Sequence, residues 1–277
     1  MSVATPFTLP RSLLFVPGSE ERRFSRAAES DADAVIFDLE DAVPADRKGE
    51  AREKVAYALE AGSPKAAMVR INGPATEWGG ADLEMVAAAE VDALIVPKAD
   101  PASLARLPLH GPPVIALVET AAGLLAAPEL AADRRVVALM LGAADLGAEL
   151  GLEPRADGLE IAHARSVLVV ASAAAGICPP IDVVHLDTRD EDSLRAEGEL
   201  ARSLGFGAKP CIHPAQAPVV NDVFGVSAAQ AAAAREVVDA YEEAHASGSA
   251  VATLRGQMID LPVVTRARRS LVRHEQQ

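Results

Sequence analysis

The chain has 277 residues, half of them apolar and 24% charged, with a formal net charge of −14 at pH 7. This composition is ordinary for a protein that buries a core, and the acidic balance argues against a nucleic-acid-binding face, which would be basic. Two cysteines, Cys178 and Cys211, are too few for a disulfide framework. Because the N-terminal segment lacks a basic start and no apolar run reaches the ~18 residues of a membrane span, we expect a cytoplasmic protein.

Short apolar runs bounded by Gly, Pro or acidic residues predict buried parallel strands, which are apolar on both faces. They lie near residues 12–18, 33–38, 66–72, 92–98, 113–119, 136–142, 179–186 and 207–213. Segments with Ala, Glu and Arg at helical spacing separate them. Eight strands alternating with helices predict an α/β fold of the (β/α)8 TIM-barrel class. An open doubly wound sheet is the alternative, but "VPGSEERR" lacks the glycine-rich first turn of that fold.

The C-terminal part of the chain has a different pattern. "SAAQAAAAREVVDAYEEAHA" and "VVTRARRSLVRHE" have helical spacing, and the linker-like stretch "HASGSA" follows the first of them. We therefore predict a catalytic barrel over residues 1–225 and a C-terminal helical extension over residues 226–277. Two roles are left open for the extension, a lid over the barrel and a contact between subunits.

Polar side chains gather at the predicted carboxyl ends of the strands, where a TIM barrel places its active site. They are Asp38, Glu40 and Asp41 after strand 2, Arg70 and Asn72 at strand 3, Lys98 after strand 4, Glu119 after strand 5, Asp145 after strand 6 and His213 after strand 8. Carboxylates that share one mouth raise each other's pKa unless a cation neutralises them. Since the available ligands are oxygens, the predicted cation is Mg²⁺, with Mn²⁺ as the alternative.

Some of the acidic residues also have simpler interpretations. Asp41 and Asp145 could each cap or begin a helix. Glu119 is harder to explain in this way, because it directly follows an apolar strand and the small residues of "ETAAGLL" leave room beside it. The small residues of "LGAADLG" around Asp145 would let backbone amides approach an anionic ligand.

Two basic side chains accompany the acids. Arg70 is the expected carboxylate anchor, since a guanidinium offers a planar fork of donors. It could equally form an ion pair with Asp38 or Glu40, and the two roles are compatible. Lys98 is interpreted as balancing the acids, with a Schiff-base lysine as the alternative.

Seven motifs together resemble the citrate lyase β-subunit-like branch of the HpcH/HpaI aldolase superfamily, whose relatives include malyl-CoA and citramalyl-CoA lyases. In chain order they are "RSLLFVPG", "DAVIFDLEDAV", "VRIN", "VPKAD", "ALVETAAGLL", "LGAADLG" and "CIHPAQ". The resemblance covers residues 11–225 and continues weakly into "GQMIDLP". It implies a TIM barrel, a homotrimer or a multiple of it, and Mg²⁺ at the barrel mouth.

The resemblance also implies roles for individual residues. Glu119 and Asp145 match the family's two direct metal ligands. Arg70 matches the residue that binds the oxygens of an α-keto acid, and the backbone amides of Ala144 and Asp145 match those that hold its carboxylate. Phe15 matches a residue that contacts coenzyme A.

Further matches concern residues around this centre. Asp38, Glu40 and Asp41 match residues that hydrogen-bond metal-bound waters and orient the arginine, and we count Glu40 with the catalytic group. Lys98 belongs to the same supporting set. "GQMIDLP" resembles the stretch that supplies a catalytic aspartate to a neighbouring subunit, which implies that Asp260 is the acid/base acting on the acyl-CoA carbon.

The coenzyme A contacts match the family only in part. Arg26 lies where relatives contact coenzyme A, but Glu20 stands where one relative has a basic residue. Arg22 or Arg23 could compensate for that difference.

The predicted reaction is reversible, Mg²⁺-dependent cleavage of a 3-hydroxyacyl-CoA thioester into an α-keto or oxo acid and an acyl-CoA. Coenzyme A would thus enter as part of the substrate, which is of the malyl-, citramalyl- or citryl-CoA type. Three alternatives remain open: an aldolase that releases pyruvate from a free hydroxy acid, a Schiff-base aldolase through Lys98, and a β subunit that needs the other chains of a citrate lyase complex. The C-terminal extension favours a free-standing lyase over the last of these.

Overall fold

The computed structural model describes residues 7–275. The chain divides into two compact units, the first ending at Phe224 and the second beginning at Gly225. No helix within the described residues has the length and apolar character needed to cross a membrane.

The first unit alternates strands with helices. Its strands are β1 (Ser12–Pro17), β2 (Ala34–Asp38), β3 (Ala66–Arg70), β4 (Ala93–Val96), β5 (Val114–Val118), β6 (Val136–Leu141) and β7 (Lys209–Cys211). Its helices are α1 (Arg22–Glu29), α2 (Lys48–Glu60), α3 (Gly79–Ala88), α4 (Pro101–Ala105), α5 (Ala121–Leu125), α6 (Ala127–Ala132), α7 (Ala143–Leu150), α8 (Ala162–Ala175), α9 (Glu191–Leu204) and α10 (Ala217–Phe224). Single 3-10 turns occur at Ala45–Arg47, Leu159–Ile161 and Pro214–Gln216.

The strands form a curled parallel sheet in the order β6-β5-β4-β3-β2-β1-β7. Both faces are apolar, as the runs of β-branched residues predict. On one face Ile36, Met68 and Ile95 pack against each other in the interior of the curl. On the other face Val35 and Phe37 belong to the larger core that the surrounding helices complete.

The predicted parallel α/β sheet is confirmed, but a complete eight-stranded barrel is not. In the segment predicted as strand 7, residues 179–186, only Ile181 pairs with its neighbours, through single parallel bridges on the β6 and β7 sides. Pro179 and Pro180 cannot donate backbone hydrogen bonds, and the carbonyl of Val183 accepts from a buried lysine side chain instead of a strand. The ladder is therefore reduced to one residue here.

Five ionisable side chains form a group between the sheet and helices α8 and α9, which we call the Arg165 cluster: the buried Arg165, Asp182 and Lys209 and the partly buried His185 and Glu197. Arg165 donates to both Asp182 oxygens, from Nε at 2.9 Å and from Nη2 at 3.1 Å. Lys209 Nζ donates to Asp182 Oδ2 at 3.0 Å and lies 3.2 Å from Glu197 Oε1. His185 Nδ1 lies 2.6 Å from Glu197 Oε2. Two cations thus face two carboxylates, with the charges balanced.

The second unit contains α11 (Ala228–Ala246), a hairpin of β8 (Ala252–Leu254) and β9 (Gln257–Ile259), and α12 (Leu261–Glu275). The hairpin is not among the predicted elements. It turns at Arg255 and Gly256, whose φ angles of 51° and 79° suit a tight two-residue turn. Val238, Val264 and Leu271 belong to a core of its own.

Candidate active site

The carboxyl ends of the parallel strands bring several predicted site residues together. Asp38, the last residue of β2, pairs in register with Arg70, the last residue of β3. A cavity of about 280 Å³ opens at this edge of the sheet, and its lining includes Phe15, Asp38, Asp41, Arg70, Glu119, Ala144 and Asp145. Leu117, Met140, Val184 and Ile212 form apolar parts of the same wall. The cavity is therefore small, and its wall combines apolar side chains with several ionisable ones.

Arg70 is held rigidly at the edge of this cavity. Its Nε and Nη2 donate to the two oxygens of Asp38 at 2.7 Å and 2.6 Å, and its guanidinium carbon lies 5.0 Å from the centre of the Phe15 ring. Burial lowers the pKa of Arg70, but the hydrogen bonds and charge of Asp38, with the charge of Glu40, raise it above its ordinary value overall. Arg70 is thus a permanent cation whose orientation is set before any ligand arrives.

The acids of "DLED" have separate tasks. Asp38 also accepts from the backbone amides of Glu40 at 2.9 Å and Ala42 at 3.1 Å, so its carboxylate organises the loop as well as Arg70. Glu40 lies 3.2 Å from Arg70 Nη1 and 2.8 Å from Lys98 Nζ, so it contacts both cations. Asp41 is 59% exposed and lies 3.9 Å from Arg70. The geometry favours an orienting role for Glu40.

Lys98 is the second cation of the group. Its Nζ donates to Glu40 at 2.8 Å and lies 4.0 Å from Glu119 and 3.9 Å from Asp145. Burial lowers the pKa of Lys98, but the hydrogen bond and charge of Glu40 raise it overall. Its backbone has a φ of 47°, an unusual value that often accompanies functional positions. A charged ammonium is the wrong form for a Schiff base, so the role of balancing the acids is favoured.

Glu119 is the most deeply buried carboxylate that lines the cavity after Asp38, at 3% exposure. Burial raises its pKa to about 8, against the lowering effect of the hydrogen bond from the Lys98 amide at 2.8 Å. A side chain at Gly142 could not fit, because its Cβ would lie 2.7 Å from Glu119 Oε2. The backbone of β6 therefore approaches Glu119 closely, and the carboxylate occupies a fixed position without a full counter-charge.

The arrangement fits a hard divalent cation bound by few protein ligands. Within residues 7–275 no three His, Cys, Asp or Glu side chains form a group that could hold a metal by themselves. Mg²⁺ needs only one or two carboxylates, because water and substrate oxygens complete its shell. Glu119 and Asp145 could supply that number, and the ammonium of Lys98 lies about 4 Å from both.

Other predicted residues lie outside the cavity lining. Asn72 donates from its side chain to Asp82 at 2.7 Å and is buried with it. His213 Nδ1 accepts from the backbone of Ala215, which is a structural role. Arg26 is exposed in the last turn of α1. Asp260 belongs to the second unit, where its carboxylate accepts from the Val263 amide at 3.3 Å at the start of α12. Its catalytic role stays a prediction.

Sequence reasoning missed Lys48, whose Nζ donates to the carbonyls of Leu39 and Glu40 directly behind the site. A signal was present in the sequence. Lys48 precedes Ala51 and Val55 at spacings of three and seven, on the buried face of α2. A lysine in such a register must pair its ammonium inside the protein.

A parallel sheet with carboxylates and an arginine lining one cavity at its strand ends indicates the class of protein, an α/β enzyme. The chain belongs to the HpcH/HpaI aldolase/citrate lyase family, whose model matches residues 11–107 and 110–214. The family predicted from the motifs is therefore confirmed, and with it the prediction of a lyase-type enzyme.

Relatives of known name span almost the whole chain. A (3S)-malyl-CoA thioesterase of Cereibacter sphaeroides is 40% identical over 278 residues, covering 98% of this chain and 96% of its own. A citrate lyase subunit beta-like protein of Deinococcus radiodurans is 35% identical over 286 residues, covering 98% and 99%. The crystal structure of Mycobacterium tuberculosis CitE in complex with magnesium, acetoacetate and coenzyme A is similar with a TM-score of 0.82 and 38% identity, covering 96% of this chain and 98% of that one.

Proposed function

We propose that the protein is a Mg²⁺-dependent carbon–carbon lyase that reversibly cleaves a 3-hydroxyacyl-CoA thioester into an α-keto or oxo acid and an acyl-CoA. One observation carries the proposal: Glu119, Asp145 and the pre-oriented Arg70 line the same cavity of about 280 Å³. The ligands named for the similar CitE structure, magnesium, acetoacetate and coenzyme A, support it. We also propose that the curled sheet is closed into a barrel, because Ile181 bridges β6 and the residue before β7 where a full strand was predicted.

The residues of the cavity suit the oxo-acid half of the substrate. Glu119 and Asp145 would hold Mg²⁺, which when bound supplies a Lewis acid and a template for adjacent carboxylate and hydroxyl oxygens. Arg70 places a fixed positive charge where the hydroxyl oxygen of the substrate gains negative charge as it becomes a carbonyl. The amides of Ala144 and Asp145, at the first turn of α7, would donate to the substrate carboxylate.

The bond changes follow from this arrangement. A base removes the proton of the 3-hydroxyl group, the bond between carbons 2 and 3 of the acyl chain breaks, and the hydroxyl carbon becomes the carbonyl carbon of the oxo acid. The electron pair of the broken bond passes to the thioester fragment as an enolate. Asp260, in the role that the resemblance gives it, protonates the enolate at carbon to yield the acyl-CoA.

A panel assay tests the proposal directly. Acetyl-CoA and propionyl-CoA are each incubated with Mg²⁺ and glyoxylate, pyruvate or oxaloacetate, and condensed thioesters are detected by mass spectrometry. At least one pair is expected to condense, and the product to be cleaved in the reverse assay. Turnover of free hydroxy acids with no reaction of any thioester would replace the proposal with the free-acid aldolase.

A second candidate, thioester hydrolysis, is favoured by the 40% identity to malyl-CoA thioesterases. Cleavage leaves the thioester intact in the acyl-CoA product, whereas hydrolysis releases free coenzyme A with a thiol. Thiol titration of the same reactions therefore separates the two. Free thiol formed in step with loss of the 3-hydroxyacyl-CoA, with no acyl-CoA produced, would establish hydrolysis and contradict cleavage.

The role of Asp260 has its own test. Asp260→Asn and Asp145→Ala proteins are each expected to be inactive. If Asp260 acts in a neighbouring subunit of a homo-oligomer, co-folded mixtures of the two variants regain part of the activity, because some sites combine intact halves. Full activity of Asp260→Asn alone would contradict a role for this carboxylate.

A further inference from the structure

Lys48 occupies an unusual position for a lysine. It is only 7% exposed, and its Nζ donates to two consecutive backbone carbonyls, those of Leu39 at 2.9 Å and Glu40 at 2.8 Å. The ring of Trp78 lies beneath the ammonium, with its centre 5.3 Å away. Lysines are rarely buried unless their charge is satisfied, and here carbonyl dipoles and an aromatic face satisfy it.

Burying the Lys48 ammonium costs desolvation free energy, which an apolar side chain in a purely structural role would avoid. Burial lowers the pKa of Lys48, although the carboxylates of Asp38 and Glu40 act in the opposite direction. An apolar side chain at the same place on α2 would continue the buried face formed by Ala51 and Val55 without that cost. The ammonium is therefore best explained by what it binds.

What Lys48 binds is the backbone that carries the Glu40 carboxylate. The amide of Glu40 is held by Asp38 Oδ1 at 2.9 Å, and its carbonyl is held by Lys48. Together the two contacts clamp both peptide groups of Glu40. The Glu40 side chain then reaches Lys98 Nζ at 2.8 Å and lies 3.2 Å from Arg70. Lys48 is thus one residue removed from both cations of the site.

The distances around Lys98 show why the position of Glu40 matters. Lys98 Nζ lies at hydrogen-bond distance from Glu40 but 4.0 Å from Glu119 and 3.9 Å from Asp145. If Glu40 shifted, the nearest remaining anions for the ammonium would be these two carboxylates. Lys98 would then compete with any cation that Glu119 and Asp145 bind.

We propose that Lys48 is a positioning residue of the cation site. By clamping the backbone of Leu39 and Glu40 it fixes the Glu40 carboxylate, which keeps the Lys98 ammonium away from Glu119 and Asp145. The inference rests on the proposed function only in requiring that those two carboxylates bind a divalent cation.

The test measures metal binding rather than activity. Mn²⁺ is titrated into wild-type, Lys48→Met, Glu40→Gln and doubly substituted protein, and free Mn²⁺ is read by electron paramagnetic resonance. Each single variant is expected to lose about tenfold in Mn²⁺ affinity, the usual effect of removing a residue that supports metal ligands. Because Lys48 acts through Glu40, the double variant is expected to bind no more weakly than Glu40→Gln.

Lys54→Met is the matched control. Lys54 lies on the same helix, and its Nζ also donates to a backbone carbonyl, that of Ser19 at 3.2 Å, on a different loop. This variant is expected to bind Mn²⁺ as the wild type does. Trp78 is the single tryptophan of the chain, so its emission should change in Lys48→Met and not in the control.

Each failure has a separate signature. Wild-type protein that binds no Mn²⁺ would contradict the proposed function. Wild-type binding with an unchanged affinity in Lys48→Met, or a double variant whose losses multiply, would overturn the inference alone. If thermal melting shows that Lys48→Met is unfolded, Lys48→Gln takes its place, since its shorter, uncharged side chain cannot hold both carbonyls. A wild-type Mn²⁺ affinity in folded Lys48→Gln would also overturn the inference.

Discussion

Two groups of ionisable side chains adjoin the same sheet, and they differ in the balance of their charges. In the Arg165 cluster, Arg165 and Lys209 face Asp182 and Glu197, and Asp182 and Lys209 are fully buried. In and around the cavity three cations accompany five carboxylates. The cations are Arg70, Lys98 and Lys48, and the carboxylates are those of Asp38, Glu40, Asp41, Glu119 and Asp145.

We propose that the difference separates charges that stabilise the fold from charges that serve the site. A buried ion pair repays its desolvation only when its partners neutralise and hydrogen-bond each other, as in the Arg165 cluster. The cavity lacks that compensation, and its deficit is concentrated on Glu119, whose pKa burial raises to about 8. An uncompensated carboxylate in a fixed position is what a cation-binding site requires before its cation arrives.

The largest expected effect removes a carboxylate from the unbalanced group. Asp145→Ala should abolish Mg²⁺-dependent turnover, a loss of at least about a thousandfold, because one of two proposed metal ligands is gone. Steady-state kinetics on the thioester identified by the panel assay measure it. Glu149→Ala, on the same helix but bound to the Ala121 amide, is the control and should stay active. Full activity of EDTA-treated Asp145→Ala protein would show that the reaction needs no metal ion.

The balanced group should respond in stability instead. Asp182→Asn leaves the buried Arg165 and Lys209 with one carboxylate fewer, and we expect the free energy of unfolding to fall by about 3–5 kcal/mol. Urea denaturation measures the fall, and Mn²⁺ affinity of the folded variant should be unchanged. A stable Asp182→Asn protein with impaired Mn²⁺ binding would erase the distinction between the two groups.

Two glutamates at and beside the cavity allow a direct ligand to be distinguished from a supporting residue. Glu119→Gln should reduce Mg²⁺ affinity by more than about a hundredfold, whereas Glu40→Gln should reduce it about tenfold, because Glu40 acts through Arg70 and Lys98. Isothermal titration calorimetry gives both values. The reverse order would indicate that Glu40, one of the acids of "DLED", is itself a direct metal ligand.

A further effect, about tenfold over the first pH unit, is a pH dependence that follows from the pKa of about 8 for Glu119. Metal binding needs the ionised carboxylate, so Mg²⁺ affinity should fall about tenfold per pH unit below about 8 and level off above it. Calorimetry in buffers of different ionisation enthalpy should show a proton released on binding. A constant affinity from about pH 6 to 8.5 would show that Glu119 is already ionised in the fold.

The raised pKa of Glu119 also predicts how the stability of the metal-free protein depends on pH. Since the folded-state pKa of Glu119 is raised from the ordinary 4.5, the folded protein binds more protons than the unfolded chain between the two values. The contribution to stability is full below about pH 4.5 and is lost as the pH rises through about 8. When the free energy of unfolding of Glu119→Gln is measured as a function of pH, it should lack this decrease between about pH 4.5 and 8.

The sequence by itself determined the parallel class of the sheet and the family, and it predicted the edge where we propose that the chemistry lies. Apolar runs that end in acids, as before Asp38 and Glu119, predict buried strands with functional carboxyl ends, because the apolar half does not suit a surface and the acids do not suit a core. These signals are local along the chain. They could therefore be read without knowing how the strands pair.

Only the tertiary structure decided which partners each charge takes. The single bridge at Ile181, the closed Arg165 cluster and the clamp of Lys48 on the "DLED" loop all join segments far apart in sequence. The same holds for Glu40, which contacts both Arg70 and Lys98. Pairing depends on distance and burial in three dimensions, and residue type alone does not show whether a charge is compensated.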